Sequence, residues 1–595
     1  MSGSTESIER FEYDVLVLGA GGAGLRAAIG AAQDGVRVAV ICKSLLGKAH
    51  TVMAEGGAAA SMGNLDPFDG WETHFFDTMR SGHFINNYRT AEIFAKEAPD
   101  RIYELESWGA LFDRTPEGKI MQRPFGAHTF RRLAHVGDRT GLELIRTLQY
   151  KGIHSGIDIY QEVTTTCLLM DGDRVAGAMG YERESGRFLL WRAKAVVLAT
   201  GGWGKLFKVT SNSWESTGDG AAMAYRIGAE LQDMEMVQFH PTGMVWPPGV
   251  RGILVTEGVR GEGGVLVNSE GRRFMEDYDP KRMELSSRDV VARSIYREVQ
   301  AGRGTPHGGA WLDITHRGPE YIRRKLPNMY DQFLHLADID ITKQKFEVAP
   351  TIHYTMGGVR ADPETCATNV PGLFAAGEVA CGLHGANRLG GNSLSDLLVF
   401  GRRAGEAARD YAMGAGGLPA VDEADVTAEM ARVLQPLAVE NGENPYHLHD
   451  ALQQVMGEHA GIARTGETLK KGLEKILALQ ERARNVGVAG SRRYNPGWHS
   501  AFDVQNMLLL SEAILRGAIA RQESRGAHWR TDFPDETEEF GRINFVEYRD
   551  GDTMRQKTCP VPQMPPELAA LFANDVAPGL VKARAANPAA AEGGR

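Results

Sequence analysis

Two groups of residues in this 595-residue chain have the types and spacing to do chemistry. The first is Gly19-Ala20-Gly21-Gly22-Ala23-Gly24, followed 26 residues later by His50 in Lys48-Ala49-His50-Thr51-Val52-Met53-Ala54-Glu55-Gly56-Gly57. Glycines spaced Gly-x-Gly-x-x-Gly let a helix N-terminus approach a pyrophosphate, whose charge the backbone N–H groups and the helix dipole stabilise. An imidazole placed this close to such a turn is a candidate for a covalent bond to whatever the turn holds. The acid that usually grips a ribose after the second strand is missing, and Cys42-Lys43 stand there, which disfavours simple NAD binding. Thr217-Gly218-Asp219-Gly220 offers a carboxylate to a sugar hydroxyl, or else forms only an Asx turn. Glu378 is open to the same two readings, as a cofactor ligand or as a helix N-terminal acid.

The second group is polar and cationic. It comprises Phe239-His240-Pro241-Thr242-Gly243, the run from Thr256 to Gly264 (TEGVRGEGG), Ser287-Arg288-Asp289, the run from His353 to Gly358, and His384-Gly385-Ala386-Asn387-Arg388. Taken singly, each histidine reads as structural and each arginine as a solvated charge. Together, two arginines and two histidines suit a small dianion. Charge-assisted hydrogen bonds contribute about 1.5–3 kcal/mol each, so four hold a dicarboxylate that offers little else to grip.

The elements that must position these groups are legible in the apolar pattern. Tyr13–Leu18 reads as a strand buried on both faces, Gly22–Ala32 as a tightly packed helix and Val36–Ile41 as the second strand of a βαβ unit. Ala195–Ala199 and Leu373–Ala376 are further strands that run into Thr200-Gly201-Gly202 and Gly377-Glu378. These distant pieces imply one nucleotide-binding domain, residues 1–237 and 351–421, interrupted by an α+β insertion at 238–350 that carries a helix near Ser287–Ala301. Helical periodicity dominates 422–540, as in Thr468–Arg484 and Ala501–Arg521, and 541–595 forms a C-terminal domain and tail, disordered from Ala585.

Composition narrows the function classes. Net charge is −10, with 66 basic against 76 acidic residues, which argues against nucleic acid as a partner. The five cysteines, Cys42, Cys167, Cys366, Cys381 and Cys559, include no Cys-x-x-Cys pair, so neither a zinc site, an iron–sulfur cluster nor a disulfide framework is expected. The polar stretch Met1–Phe11 lacks a signal-peptide core, and no apolar run approaches a membrane span.

At the cationic motifs the chain resembles the flavoprotein subunit of succinate dehydrogenase and fumarate reductase. The likeness runs from Tyr13 to about Pro534. It rests on the His-Thr-Val segment at His50, Gln-Arg-Pro-Phe-Gly at Gln122–Gly126 and the Thr256 run. It continues in His-Gly-Ala-Asn-Arg-Leu-Gly-Gly-Asn-Ser-Leu from His384 and Glu-Ser-Arg-Gly-Ala-His from Glu523. The resemblance implies a Rossmann-like FAD-binding domain, an inserted capping domain, a helical domain and a C-terminal tail. It implies FAD bonded covalently through His50. Besides the glycine run 19–24, FAD would be held by Lys43, Thr51, Glu55, Gly56, Gly57, Asp219, Glu378, Ser393 and Leu394. His240, Thr256, His353 and Arg388 would bind the carboxylates of succinate or fumarate, with Phe125 packing nearby, and Arg288 would move the proton through Glu257 and Arg260.

The resemblance also implies a separate iron–sulfur subunit, together with membrane anchor subunits that reduce a quinone, holding this chain peripherally at the cytoplasmic face of the inner (plasma) membrane. The competing readings are L-aspartate oxidase, which lacks the linking histidine, and a non-catalytic FAD-carrying assembly subunit. Two positions depart from many relatives: Val259 replaces a cysteine before the relay arginine, and Glu55 stands where many succinate dehydrogenases have glutamine. A carboxylate at 55 is expected to lower the flavin potential and favour fumarate reduction or coupling to a low-potential quinone.

Overall fold

The computed structural model describes residues 8–586. Its central sheet is built around the strand Ile8–Leu18, whose inner half is continuously buried. Val38–Ile41 and Phe188–Leu198 pair with it in parallel on either side, and Leu373–Ala375 runs parallel to the end of Phe188–Leu198. Parallel strands covered on both faces read as unbroken apolar runs, which is why these segments were visible without alternation. Segments more than about 350 residues apart thus share one sheet, their C-terminal ends aligned on the side where ligands bind in such folds. The helix Gly22–Ala31 is buried along its whole length, packed between this sheet and the long helix Asn392–Gly414.

The insertion has its own sheet, in the antiparallel order Val237–Met244, Phe346–Thr355, Ala310–Asp313, Val265–Val267. Its core of Met244, Val255, Leu266, Ile295, Phe333 and Phe346 is separate from that of the central sheet. The helix Arg288–Gln300 lies on this sheet with Arg288 as its first residue. The helical region consists of Glu423–Ala438, Pro445–His459, Gly466–Ala483 and Pro496–Ala520. The last is apolar nearly all round and buried, as such helices must be.

The C-terminal stretch, expected as a domain of its own, instead completes a sheet of the cofactor-binding region. The hairpin Ile543–Asp550 and Thr553–Pro560 adds to Leu231–Gln232, which pairs with Gly358–Val359. One half-buried hairpin offers too little apolar area to stand alone. Farther on, Phe572 stacks on Phe76 at 5.0 Å between ring centres. Ala585 and Ala586 close the helix Pro578–Ala586, and the rest of the stretch expected to be disordered, like residues 1–7, lies outside the described residues. No described helix is long and apolar enough to cross a membrane.

Candidate active site

A cavity of ≈ 1400 Å³, measured to its open mouth, runs along the C-terminal ends of the central strands. Gly19–Ala23, Lys43, His50, Thr51, Asp219, Glu378, Ser393 and Leu394 all line it. The glycines are there for sterics. Gly19 has φ +107, and a Cβ on it would lie 2.2 Å from Ala199 O; one on Gly24 would lie 1.8 Å from Gly19 O. Gly24 therefore sets how closely helix and strand approach and does not itself face the cavity. Thr51 Oγ1 accepts from the Gly22 N–H at 3.2 Å, which holds the short 3₁₀ turn His50–Met53 against the glycine run.

His50 Nδ1 accepts from the Ser213 N–H at 3.3 Å, and Nε2 lies 3.3 Å from the Asn212 amide. Burial, with help from Arg388, lowers its pKa to about 4, so the ring is neutral at ordinary pH. The side chains of Thr200, Ser213 and Glu215 line the same cavity, each with a buried oxygen that has no protein partner. Such groups are costly unless something satisfies them. The cradle, the cavity and these open acceptors and hydroxyls fit a dinucleotide.

Of the expected cofactor residues Gly24, Glu55, Gly56 and Gly57 do not line that cavity, and several that do are engaged within the protein. Lys43 Nζ binds Thr217 Oγ1 (2.8 Å), Asp219 (2.9 Å) and Asp503 (2.6 Å), so it fastens the helix Pro496–Ala520 to the cofactor site. Asp219 also accepts from Thr217 and Asn506, which leaves its carboxylate largely committed within the protein. Glu378 accepts from the Thr355 N–H at 3.1 Å, and burial raises its pKa to about 7. Gly56 is flat against Phe125, where a Cβ would lie 2.4 Å from the ring, and Gly57 (φ +128) passes close to Ala134 O.

Glu55 departs most from expectation. Its Oε2 is buried without a partner, and burial beside Asp138 pushes its carboxyl well above the usual range. The neutral acid is favoured, which removes the negative charge from which a lowered flavin potential was inferred.

His353, Tyr354 and Leu254 close one end of the cavity, and there the cationic group assembles. Arg288 Nε donates to Glu257 Oε2 at 2.9 Å and Nη1 to Gln238 Oε1 at 3.1 Å. Glu257 also accepts from the Gly126 N–H at 2.6 Å and lies 3.6 Å from Arg260, whose Nη1 donates to Glu284 O at 2.5 Å. Arg288, Glu257 and Arg260 are therefore contiguous and buried. A cation at the positive end of a helix costs roughly 0.3–1 kcal/mol, which the Glu257 pair offsets. Burial pushes Glu257 up, but Arg288 and Arg260 outweigh it, so it stays ionised below the usual carboxylate range.

The rings of His240 and His353 lie 5.1 Å apart. Burial and nearby arginines keep both neutral, and Ser211 Oγ holds His353 Nδ1 at 2.8 Å. Thr256 Oγ1 accepts from the Gly258 N–H, and Phe125 is buried between Gly56 and Gly390. Arg388 donates to Ser393 Oγ at 2.7 Å and lies 4.2 Å above the Tyr354 ring, while its Nε and Nη2 have no partner. Burial and Arg288 lower its pKa to about 9. Arg260 likewise has two nitrogens without a hydrogen bond, Nε and the Nη2 that faces Glu257 at 3.6 Å. Open, dry donors beside neutral histidines are the chemistry that suits carboxylate oxygens. Sequence reasoning missed Ser211, Asn212, Ser213, Glu215 and Gln238. A polar run just after a buried strand and its Gly-Gly was the available signal for the first four. Gln238 had none.

Comparison with known proteins places these features in a family. Residues 14–394 match the FAD binding domain family and residues 449–568 the fumarate reductase flavoprotein C-terminal family. A subunit of the fumarate reductase (CoM/CoB) of Methanothermobacter marburgensis is 45% identical over 535 residues, 90% of this chain and 97% of that protein. The succinate dehydrogenase flavoprotein subunit of Coxiella burnetii is 38% identical over 567 residues, 92% of this chain and 96% of that protein. Among solved structures, Mycobacterium smegmatis Sdh1 in complex with UQ1 superposes with a TM-score of 0.86 at 54% identity, covering 97% of this chain and 98% of that one.

Proposed function

The chain belongs to the succinate dehydrogenase and fumarate reductase flavoprotein subunits, FAD-dependent oxidoreductases, and on that premise we propose that it oxidises succinate to fumarate. The observation that carries this reading is the buried Arg288–Glu257–Arg260 series meeting two neutral histidines and a half-unpartnered Arg388 where the cavity ends. In this reading His240, His353, Thr256 and Arg388 hold the two carboxylates, and Phe125 packs beside them. FAD, when bound, supplies the acceptor for a hydride from one methylene carbon. Arginine keeps its proton above pH 12 in water, so Arg288 must first pass one to Glu257, already bonded to its Nε, before taking the proton of the other methylene. Arg260 then releases a proton outward and takes the one left on Glu257, so one proton leaves the site per turnover and the relay regains its starting state. With Glu257 ionised and the site dry, a neutral arginine need exist only briefly.

His50 is the proposed covalent tether to FAD. A neutral imidazole on the cavity wall keeps one ring nitrogen unprotonated, and a bond to carbon needs that lone pair once its hydrogen bond is given up. A tether of this kind raises the flavin potential towards that of succinate. Electrons are proposed to leave through an iron–sulfur subunit, then through membrane anchor subunits to a quinone at the cytoplasmic face of the membrane. The UQ1 bound to the M. smegmatis neighbour supports that route. Fumarate reduction is the second reading, favoured by the name of the M. marburgensis relative.

The test is the complex purified from membranes with its companions, assayed in both directions with defined quinones. Succinate oxidation should be the faster, and flavin fluorescence should stay with this polypeptide on a denaturing gel. A complex that turns over neither dicarboxylate defeats the proposal.

A further inference from the structure

A second cavity, of ≈ 380 Å³ counted with the solvent at its mouth, shares no lining residue with the cofactor cavity. Its wall includes His384 and Asp396, both buried, and His384 Nδ1 has no partner. The two cavities are linked by one side chain. Tyr354 lines the first, carries Arg388 over its ring, and bonds through its hydroxyl to His384 Nε2 at 3.2 Å, where it also acts on Asp396. Asp396 Oδ2 is in turn 3.9 Å from His384 Nε2.

Arg388 is a buried cation with no carboxylate in direct contact; its protein partners are the Ser393 hydroxyl and the Tyr354 ring. A buried unpaired charge is expensive. The carboxylates that offset it without touching it are Glu378 and Glu257, and Asp396 is held down in turn by the Arg388 charge. A bound dicarboxylate would bring two negative charges into the same dry space and make a nearby ionised acid unfavourable. The arrangement therefore calls for a group that is charged before substrate arrives and neutral afterwards, with its own route to protons.

We propose that Asp396, acting through His384 and Tyr354, is a positioning residue that supplies the counter-charge of Arg388 and takes up a proton by way of the second cavity when a dicarboxylate binds. The inference rests on reading Arg388 as a carboxylate ligand. The other groups around Asp396 are Glu378 and the thiol of Cys366, with Asp362 and Cys381 on the same cavity wall. Burial places Asp396 at about 7 despite the pull of Arg388, so it can change charge near neutrality. Both thiols are pushed far above that range, and His384 well below it. Glu378, also raised to about 7, is the one competitor, and it is committed to Thr355. The proton comes from solvent, adds to the Asp396 carboxylate on binding, and leaves when the product does.

The experiment uses the FAD-loaded complex and malonate, a dicarboxylate that cannot be dehydrogenated. Wild-type affinity should weaken about tenfold from about pH 6 to about pH 8, with proton uptake on binding seen in weak buffer. Asp396→Asn should bind malonate at every pH as tightly as wild type does at the acid end, with the uptake reduced. A wild-type slope or wild-type uptake in Asp396→Asn overturns the inference, as does an equal loss of affinity at all pH values. His384→Gln, which leaves the acid in place, should shift the midpoint of the profile; an unshifted midpoint also overturns it. Malonate affinity unchanged in Arg388→Gln would instead remove the premise about Arg388.

Discussion

The two ends of the long cavity are built from different materials. The glycine-lined end is made of backbone from one compact unit: a strand, a turn and a helix within Ile8–Ala31. The cationic end is made of side chains from segments as far apart as Phe125 and Arg388, contributed by both the central sheet region and the insertion. The first tolerates almost no added atom; the second depends on which charges are paired and which are left open. Backbone sites fail by collision and side-chain sites by charge imbalance, so mutations should break them in different ways.

The largest effect is expected at the backbone end. Gly24→Val would drive carbon into Gly19 O, where even a Cβ lies at 1.8 Å, and should abolish flavin content as read from absorbance of the purified protein. Retained flavin would mean that the cradle is softer than its geometry. Next comes Arg288→Gln, which should lower succinate turnover with an artificial acceptor on the order of 10³-fold while leaving flavin content intact. If flavin is lost as well, the two ends are not separable.

His50→Ser joins the ends and should act on both mildly. FAD should stay bound in the native protein but leave on denaturation, and succinate oxidation should fall about tenfold, more than fumarate reduction does. The acid-side prediction follows from the same ring. Its folded pKa is lowered, so the reactive neutral form persists as pH falls and is lost only on approaching about 4. The rate of flavin attachment to apoprotein should therefore be flat through the neutral range; a fall centred near the ordinary histidine value would contradict this.

The smallest effect belongs to Glu55→Gln. A carboxyl already held neutral by burial is well imitated by an amide, so the flavin midpoint potential should move by less than about 30 mV, the two-electron equivalent of a tenfold change. Because its pKa is raised, charge appears only as pH rises. Wild type should then fall below the variant in potential only on the alkaline side, which protein-film voltammetry can follow.

Much of this was legible beforehand because it depends on local rules. The glycine spacing, the strand before it and the helix after it satisfy short-range sterics that any correct fold must meet. The Thr256 and His384 runs were found by their density of glycine beside charge, which a solvated surface does not need. Asn212 and Ser213, which hold the His50 ring, were marked in the sequence only as part of a polar run after a buried strand, because their relation to His50 is spatial. Lys43, which stands where a ribose-binding acid is usual, lines the cofactor cavity and is also a tie between regions, because Asp503 lies 460 residues away.

The sequence by itself determined the βαβ cradle, the interruption of its sheet by an insertion, and the residue types that could bind a dianion. Those follow from chain sterics and periodicity, which act over a few residues. Only the tertiary structure decided the charges. Whether Glu55 is neutral, Glu257 ionised, His240 and His353 unprotonated and Arg388 left with open donors depends on burial and on neighbours brought from hundreds of residues away. Desolvation and Coulomb interactions are properties of the assembled interior, and no spacing along the chain encodes them.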